Sequence, residues 1–268
     1  MALIELSPFD LAITALLVIL LAGLSAALHL GVGRRLLIAA ARAAVQLALI
    51  GLVLKFLFAS SDPLFIGALT LIMLFVAGYE VMARQSRRFR GIWSMGVGTL
   101  SMFVSSFTIT LLAVAVIINV QPWYTPQYLI PLLGMLLGNT MSGIAITLDS
   151  LTRNAWQQRG AIEARLMLGH DWSTAIGDIR RDALRSGLIP IINAMAAAGV
   201  VSLPGMMTGQ ILAGSPPWEA AKYQLMILFL IAAGTGFGAM LAVWIGSMRL
   251  FDERQRLRLD RLTGENPR

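Results

Sequence analysis

The side chains with ligand chemistry lie mostly in two copies of one short pattern, Gly-Met-x-x-Gly-amide. The first copy is Gly134-Met135-Leu136-Leu137-Gly138-Asn139, with Met141 two residues beyond it. The second is Gly205-Met206-Met207-Thr208-Gly209-Gln210, entered directly from Pro204. Thioether sulfurs and amide oxygens beside exposed glycine backbone are weak ligands for an ion on a permeation path. Glycines spaced this way also serve close helix packing, and both readings stay open; both copies fall in the outer half of the membrane, so Asn139 and Gln210 are expected to face a shared cavity. Thioethers favour soft copper(I), whereas ferrous iron favours imidazole and carboxylate. The set therefore gives little independent support for iron. Neither His29 nor His170 belongs to a spaced metal pair, so metal ligands remain unknown. Pro204-Gly205 predicts a kinked or broken helix, because proline lacks a donor and clashes with the preceding turn. Broken helices at membrane depth line a cavity or are buried in protein.

Three further polar residues interrupt apolar runs. Arg42 and Gln46 lie one helical turn apart on one face. A charge there costs a few kcal/mol unless it reaches water or a partner. Arg42 either snorkels to the interface or faces inward with Gln46 in support. Glu80 precedes Arg84 by four residues, the favourable order for a helical ion pair. Its alternative role is a carboxylate that attracts cations on an exit path. Ser101, Ser105, Ser106, Thr108 and Thr110 read as packing hydroxyls.

The chain that positions these residues is 57% hydrophobic and 13% charged, which identifies a polytopic all-α membrane protein. Seven apolar runs are long enough to span a bilayer, near 11–30, 36–58, 64–82, 95–120, 128–148, 188–212 and 223–247. They are read as a single transmembrane domain over 1–268. Residues 1–10 form a short external lead, and the first run is a retained span, since it lacks a basic front and a cleavage site. Arg34-Arg35, Arg84 to Arg90, the loop at about 149–186 and the tail at about 249–268 fall on one side. Asp62, Glu219 and Lys222 fall on the other, with Lys55 near its border. Basic residues collect in cytoplasmic loops, so the amino terminus is expected outside and the carboxyl terminus inside. The net charge of +7 follows this topology and calls for no nucleic acid. The tail alternates basic, acidic and leucine residues and reads as a cytosolic helix. With no cysteine, disulfides, thiolate ligands and thiol catalysis are excluded.

The loop at 149–186 is the longest polar interruption. Ala161, Ile162, Leu166, Leu168 and Trp172 recur near helical spacing within it, so a short amphipathic helix is expected. Gly169 is its natural stop. Such a helix either presents a ridge to a soluble partner or lies on the lipid surface.

Glu163-Ala164-Arg165-Leu166-Met167-Leu168-Gly169, followed by Trp172, Ile179-Arg180 and Pro190, resembles the EAA loop of ABC-transporter permeases. That loop is the coupling helix that docks on the ATP-hydrolysing subunit. The chain departs from the pattern at Arg165, where alanine is usual, and at Pro190, which lies further from the glycine. A second resemblance covers nearly the whole chain. Arg42-Ala43-x-x-Gln46-Leu47, Gly134-Met135-x-x-Gly138-Asn139-x-Met141, and Val201-Ser202-Leu203-Pro204-Gly205-Met206-Met207-x-Gly209 with Lys222-Tyr223-Gln224 are similar to the Fet-type iron-export permease family. That family includes plant aluminium-tolerance permeases. The resemblance implies a homodimeric permease in a plasma membrane, the inner membrane of a bacterium. It couples through Glu163, Ala164, Arg165, Leu166, Leu168, Gly169 and Trp172 to a separate ABC ATPase. No Gly-x-x-x-x-Gly-Lys-Ser/Thr loop occurs here, so ATP and Mg belong to that partner and this chain binds no cofactor. Iron or another metal is the implied cargo, with a sugar nucleotide as alternative. An ion-coupled secondary transporter would need more buried carboxylates than Glu80 supplies. An intramembrane enzyme would need a Ser/His or Asp/Asp arrangement that the spans lack.

Overall fold

The computed structural model describes residues 7–59 and 62–264, apart from the side chains of Lys55, Phe56, Phe58 and Ala59. Residues 1–6 of the external lead, Ser61, the Lys55 side chain and the last four tail residues lie outside it. Among the described residues the fold is all-α, in two compact units. One holds the first two helices with residues 212–214; the other holds 62–211 and 215 onward.

In the first unit α1 (Pro8–Ala27) starts on a reciprocal cap. Ser7 Oγ accepts from Asp10 N–H, and the Asp10 carboxylate accepts from Ser7 N–H at 2.9 Å. Pro8 occupies the first turn, where its missing donor costs nothing. The chain turns at Gly31, φ +70°, into α2 (Gly33–Ala59). A Cβ on Gly33 would come within 2.8 Å of the Ala22 carbonyl oxygen, so glycine lets the two helices close. Arg34 and Arg35 sit exposed at the start of α2.

The second unit begins at α3 (Pro63–Ala83), capped by Asp62, whose carboxylate accepts from Leu64 N–H at 2.9 Å. Next come α4 (Trp93–Ile117), with π-helical turns at Phe103–Phe107 and Ala113–Ile117, and α5 (Pro126–Gln157). Two short helices follow, α6 (Arg159–Met167) and α7 (Trp172–Ala175). Then come α8 (Gly177–Ala197), α9 (Gly205–Leu212) and α10 (Pro217–Leu250). Glycines and hydroxyls interlock α4, α5, α8 and α10. A Cβ on Gly187 would overlap the Thr147 hydroxyl, and one on Gly143 would overlap the Thr235 methyl. One on Gly238 would lie 2.8 Å from Ser105 Oγ. The hydroxyls bond backwards along their own helices: Thr147 to the Gly143 carbonyl at 2.8 Å, Ser105 to Ser101 at 2.8 Å and Thr110 to Ser106 at 2.7 Å. Of the α4 hydroxyls expected to pack, Ser105 and Thr110 bond along their own helix in this way, while the Ser101 and Ser106 hydroxyls are buried with no hydrogen-bond partner among the described residues.

About seven spans were expected; among the described residues six helices are long and apolar enough to cross a membrane: α1, α3, α4, α5, α10 and the part of α2 at Gly33–Leu54. The run at 188–212 is divided. Helix α8 ends at Ala197, residues 198–204 turn through Gly199 at φ +82°, and α9 is eight residues long. Proline at position 204 and the glycine turn before it stop the helix where a kink or break was expected. One expectation, the helical tail, is corrected. After Phe251 it forms turns and one 3₁₀ turn at Leu259–Arg261 rather than a helix.

Candidate functional site

At one end of the second unit three arginine-rich segments meet: 84–90, the end of α5 onward, and the tail. The Asp149 carboxylate is buried and accepts from Ser86 N–H at 2.6 Å and Ser86 Oγ at 2.5 Å. Thr152 donates to the Arg87 carbonyl at 2.8 Å, and the Arg87 guanidinium lies 4.2 Å from the Trp156 ring centre. The tail then closes over this segment. Arg90 N–H donates to the Arg261 carbonyl, and Thr263 N–H to the Arg88 carbonyl, each at 2.8 Å. Phe89 and Leu262 are bridged and buried. Arg261 Nη1 donates to the carbonyls of Arg249 and Phe251 at 2.8 and 3.0 Å, which satisfies the open end of α10.

Against this base stands the amphipathic helix read from the sequence. Helix α6 buries Ile162 and turns Leu166 half-buried onto the core. It stops at Gly169, φ +87°, where His170 N–H reaches the Arg165 carbonyl at 3.1 Å and Gly169 N–H the Leu166 carbonyl at 3.0 Å. That bond pair is a Schellman stop, which requires the left-handed glycine. Arg165 donates to the Ala175 carbonyl at 3.1 Å and pairs with Asp178 at 3.0 Å. An alanine at this position would lose that brace. Asp171 caps α7 by accepting from Ser173 N–H at 3.0 Å. The Thr174 hydroxyl, before the backbone donors, holds the Asp171 carboxyl below its usual range. Trp172 is half-buried, packs 5.7 Å from Phe251 ring to ring, and donates its backbone N–H to Gln255 Oε1 at 3.0 Å. Of the seven coupling candidates, Glu163, Ala164, Leu168 and Gly169 are exposed; Arg165, Leu166 and Trp172 turn inward. Met167, not singled out in the sequence, is 83% exposed beside Leu168 at 80%. These two make an apolar tip.

A second cluster lies between α3, α5, α8 and α10. The Glu80 carboxylate is 3.9 Å from Arg84 Nε, and Arg84 Nη1 donates to Ser142 Oγ at 3.1 Å. Ser142 and Asn139 line a pocket of about 70 Å³ with Gly187, Pro190 and Thr235. The Thr235 hydroxyl is buried and has no hydrogen-bond partner among the described residues. Asn139 donates to its own Met135 carbonyl at 2.8 Å. Glu80 is thus linked through Arg84 to Ser142, which lines the same pocket as Asn139 and donates to the Gly138 carbonyl at 3.2 Å. Gln210, expected to share a cavity with Asn139, does not line this pocket, and its buried Oε1 has no partner among the described residues. Met135 and Met141 are half-buried on α5, and Met206 and Met207 half-buried on α9, which Pro204 precedes. Arg42 and Gln46 belong to the other unit and are exposed on α2. Among the described residues no group of three His, Asp or Glu side chains is placed to hold a metal. Sequence reading missed Ser142 and Thr235. Ser142 was open to it, three residues after Asn139 on one helix face; Thr235 carried no signal of its own.

The apolar helices, their break beside Pro204 and the polar end define a multi-pass α-helical membrane protein. The chain belongs to the family described as "Uncharacterised protein family (UPF0014)", whose model matches residues 8–251. It is 36% identical over 225 residues to the UPF0014 membrane protein slr1647 of Synechocystis, covering 83% of this chain and 85% of that one. Protein ALUMINUM SENSITIVE 3 of Arabidopsis thaliana is 34% identical over 82% of this chain and 80% of its own. The probable iron export permease protein FetB of Escherichia coli is 27% identical over 92% of this chain and 93% of its own. No solved structure matches.

Proposed function

We propose that this chain is the permease subunit of an ABC exporter, with α6 and its glycine stop docking on a separate ATPase subunit. The observation that carries this is the tip Met167-Leu168, two large apolar side chains exposed on a segment braced from behind. Exposed apolar residues on a rigid support favour a partner interface, whose energy concentrates in few side chains. The brace is Ile162, the Arg165 contacts and the Gly169 stop. Glu163, exposed on the same helix, supplies a charge to meet a basic residue or a helix start. The unit is read as one half of a homodimer, with ATP and Mg held by the partner. The arginine-rich end faces the cytosol in this reading, with the amino terminus outside. Cargo is iron or another metal by likeness to the probable iron export permease, and the Glu80–Arg84–Ser142 contacts beside the Asn139 pocket mark its path. The Arg84 guanidinium there opposes a bare cation, which keeps a sugar nucleotide as second reading.

The test uses Glu163→Arg and Gly169→Val. No neighbour would touch a Cβ at Gly169, so valine acts only through the positive φ, which a β-branched residue disfavours. Both variants are expected to lose ATPase co-purification or cargo-stimulated hydrolysis while remaining monodisperse in detergent. Wild-type behaviour in both would reduce α6 to a surface helix. For orientation, Ser215→Cys should react with an impermeant thiol reagent added outside and Ser173→Cys should not.

A further inference from the structure

Beside the tip of α6, across a shallow open depression of about 530 Å³, is a turn of the tail. Leu166, Met167 and Gly169 form one wall; Glu253, Arg254 and Arg256 form the other. The turn is tightly made. Gln255 takes a left-handed φ of +59°, its N–H reaches the Asp252 carbonyl at 2.9 Å, and Asp252 N–H reaches the Arg256 carbonyl at 3.1 Å. The Asp252 carboxylate gathers the N–H groups of Arg254 and Arg256 at 3.0 and 2.9 Å and the Arg256 guanidinium at 2.8 Å. Gln255 Oε1 accepts from Trp172 N–H, which ties the turn to the segment that follows the tip.

The charges on this wall are not equivalent. Arg256 and Arg258 are neutralised by Asp252 and Asp260. Arg254 is exposed and has no ion pair among the described residues. Its guanidinium stands at the depression opposite the apolar tip. Glu253 on the same wall is also exposed and has no ion pair among the described residues. The wall therefore presents one cation and one anion side by side. With the apolar tip, it selects a partner segment that sets a carboxylate against Arg254 and a basic group against Glu253 beside apolar side chains.

We propose that the 252–256 turn is the second wall of the partner interface. Arg254 there meets a carboxylate of the ATP-hydrolysing subunit while Met167 and Leu168 meet its apolar surface; this rests on the docking reading above. The test co-expresses the permease with that subunit and purifies the complex in neutral detergent. Arg254→Glu should lower the co-purified ATPase at least tenfold without changing the permease's monodispersity. A photo-crosslinking residue at position 254 should attach to an acid-bearing segment of the same subunit. Met167→Asp separates the two readings. If Met167→Asp loses the ATPase and Arg254→Glu keeps it, the tail wall is wrong and docking at the tip stands. If both keep it, both readings fall. Absence of a crosslink from position 254 overturns the proposal even where Arg254→Glu folds poorly. Equal binding in detergent, with a difference only on anionic vesicles, assigns Arg254 to lipid and also overturns it.

Discussion

Helices α2 and α10 are equally apolar along a membrane-length window, yet half of that window in α10 is buried within the protein and none of it in α2. Hydropathy therefore does not separate them. What does is the fit of one surface into another. In lipid, apolar helices gain nothing by leaving the hydrocarbon for each other, so association depends on close packing and on polar contacts. Helix α10 has Gly234, Gly238 and Gly246 facing side chains of α4, α5 and the 84–90 segment at 3.7 Å or less. Helix α2 has one such glycine at its start, Gly33 against Ala22 of α1, but a Cβ on Gly51 further along would meet nothing within 4 Å. The second unit is a body made by notches, whereas α2 beyond its first turn carries no such notch at Gly51.

The largest expected effect attacks that contrast directly. Gly187→Val places carbon onto the Thr147 hydroxyl and 2.7 Å from the Gly143 carbonyl oxygen. One obstacle is backbone, so rotamer changes cannot relieve it. Overpacking of this kind costs about 3 kcal/mol and sometimes more. Gly51→Val meets open space and should stay within about 0.5 kcal/mol of wild type. Thermal unfolding of the two purified variants, followed by circular dichroism, checks the pair. Equal destabilisation would mean that glycine fit does not distinguish the units.

A smaller effect compares buried with exposed polar contacts. Asp149→Ala leaves the Ser86 donors facing a buried, empty acceptor site. Unsatisfied buried groups of this kind cost about 2 kcal/mol. Ser7→Ala removes the exposed cap of α1 and should cost about 1 kcal/mol. The expected readout is a lower unfolding temperature for Asp149→Ala, with release of the 84–90 segment in hydrogen exchange. Unchanged protection there would show that Asp149 does not hold the segment.

What the sequence made legible follows the same divide. The apolar runs, the stop at Gly169 and the helix break beside Pro204 are local: each depends on a few adjacent residues. The Glu80–Arg84 pair was legible for the same reason, as a spacing on one helix. The meeting of Ser142 with Thr235 in one pocket was not, because no spacing along the chain links α5 to α10. Their proximity depends on how α5, α8 and α10 cross. The likeness between the two Gly-Met-x-x-Gly-amide copies led to the expected Asn139 and Gln210 cavity, but α9 starts after the break and Gln210 does not reach the pocket. The tail misled through its leucine and arginine spacing, which suits a helix. Asp252 settled the matter by capturing two nearby N–H groups with its side chain, the local competition that short acidic residues offer against helix.

The smallest expected effect tests that capture by titration. Asp252 is held from the ordinary 3.8 down to about 2, first by the backbone N–H of Arg256 and then by its guanidinium. A carboxyl depressed in the folded state stabilises that state above its unfolded value, and the contribution is lost as pH falls through the folded value. The turn should therefore be intact from pH 7 to about 4 and loosen between about 4 and 2. Hydrogen exchange at the Arg256 amide, corrected for the intrinsic rate at each pH, should show protection falling only in that interval. Asp252→Asn removes the charge and should give the loosened turn already at pH 7. It should also give faster trypsin cleavage at Arg254 and Arg256, while α2 and the notched helices of the second unit keep their protection. Protection at Arg256 that is flat from pH 5 to 2, or an Asp252→Asn variant as resistant as wild type, would mean that backbone bonds alone make the turn. Arg254 would then be held opposite the apolar tip without help from the carboxylate.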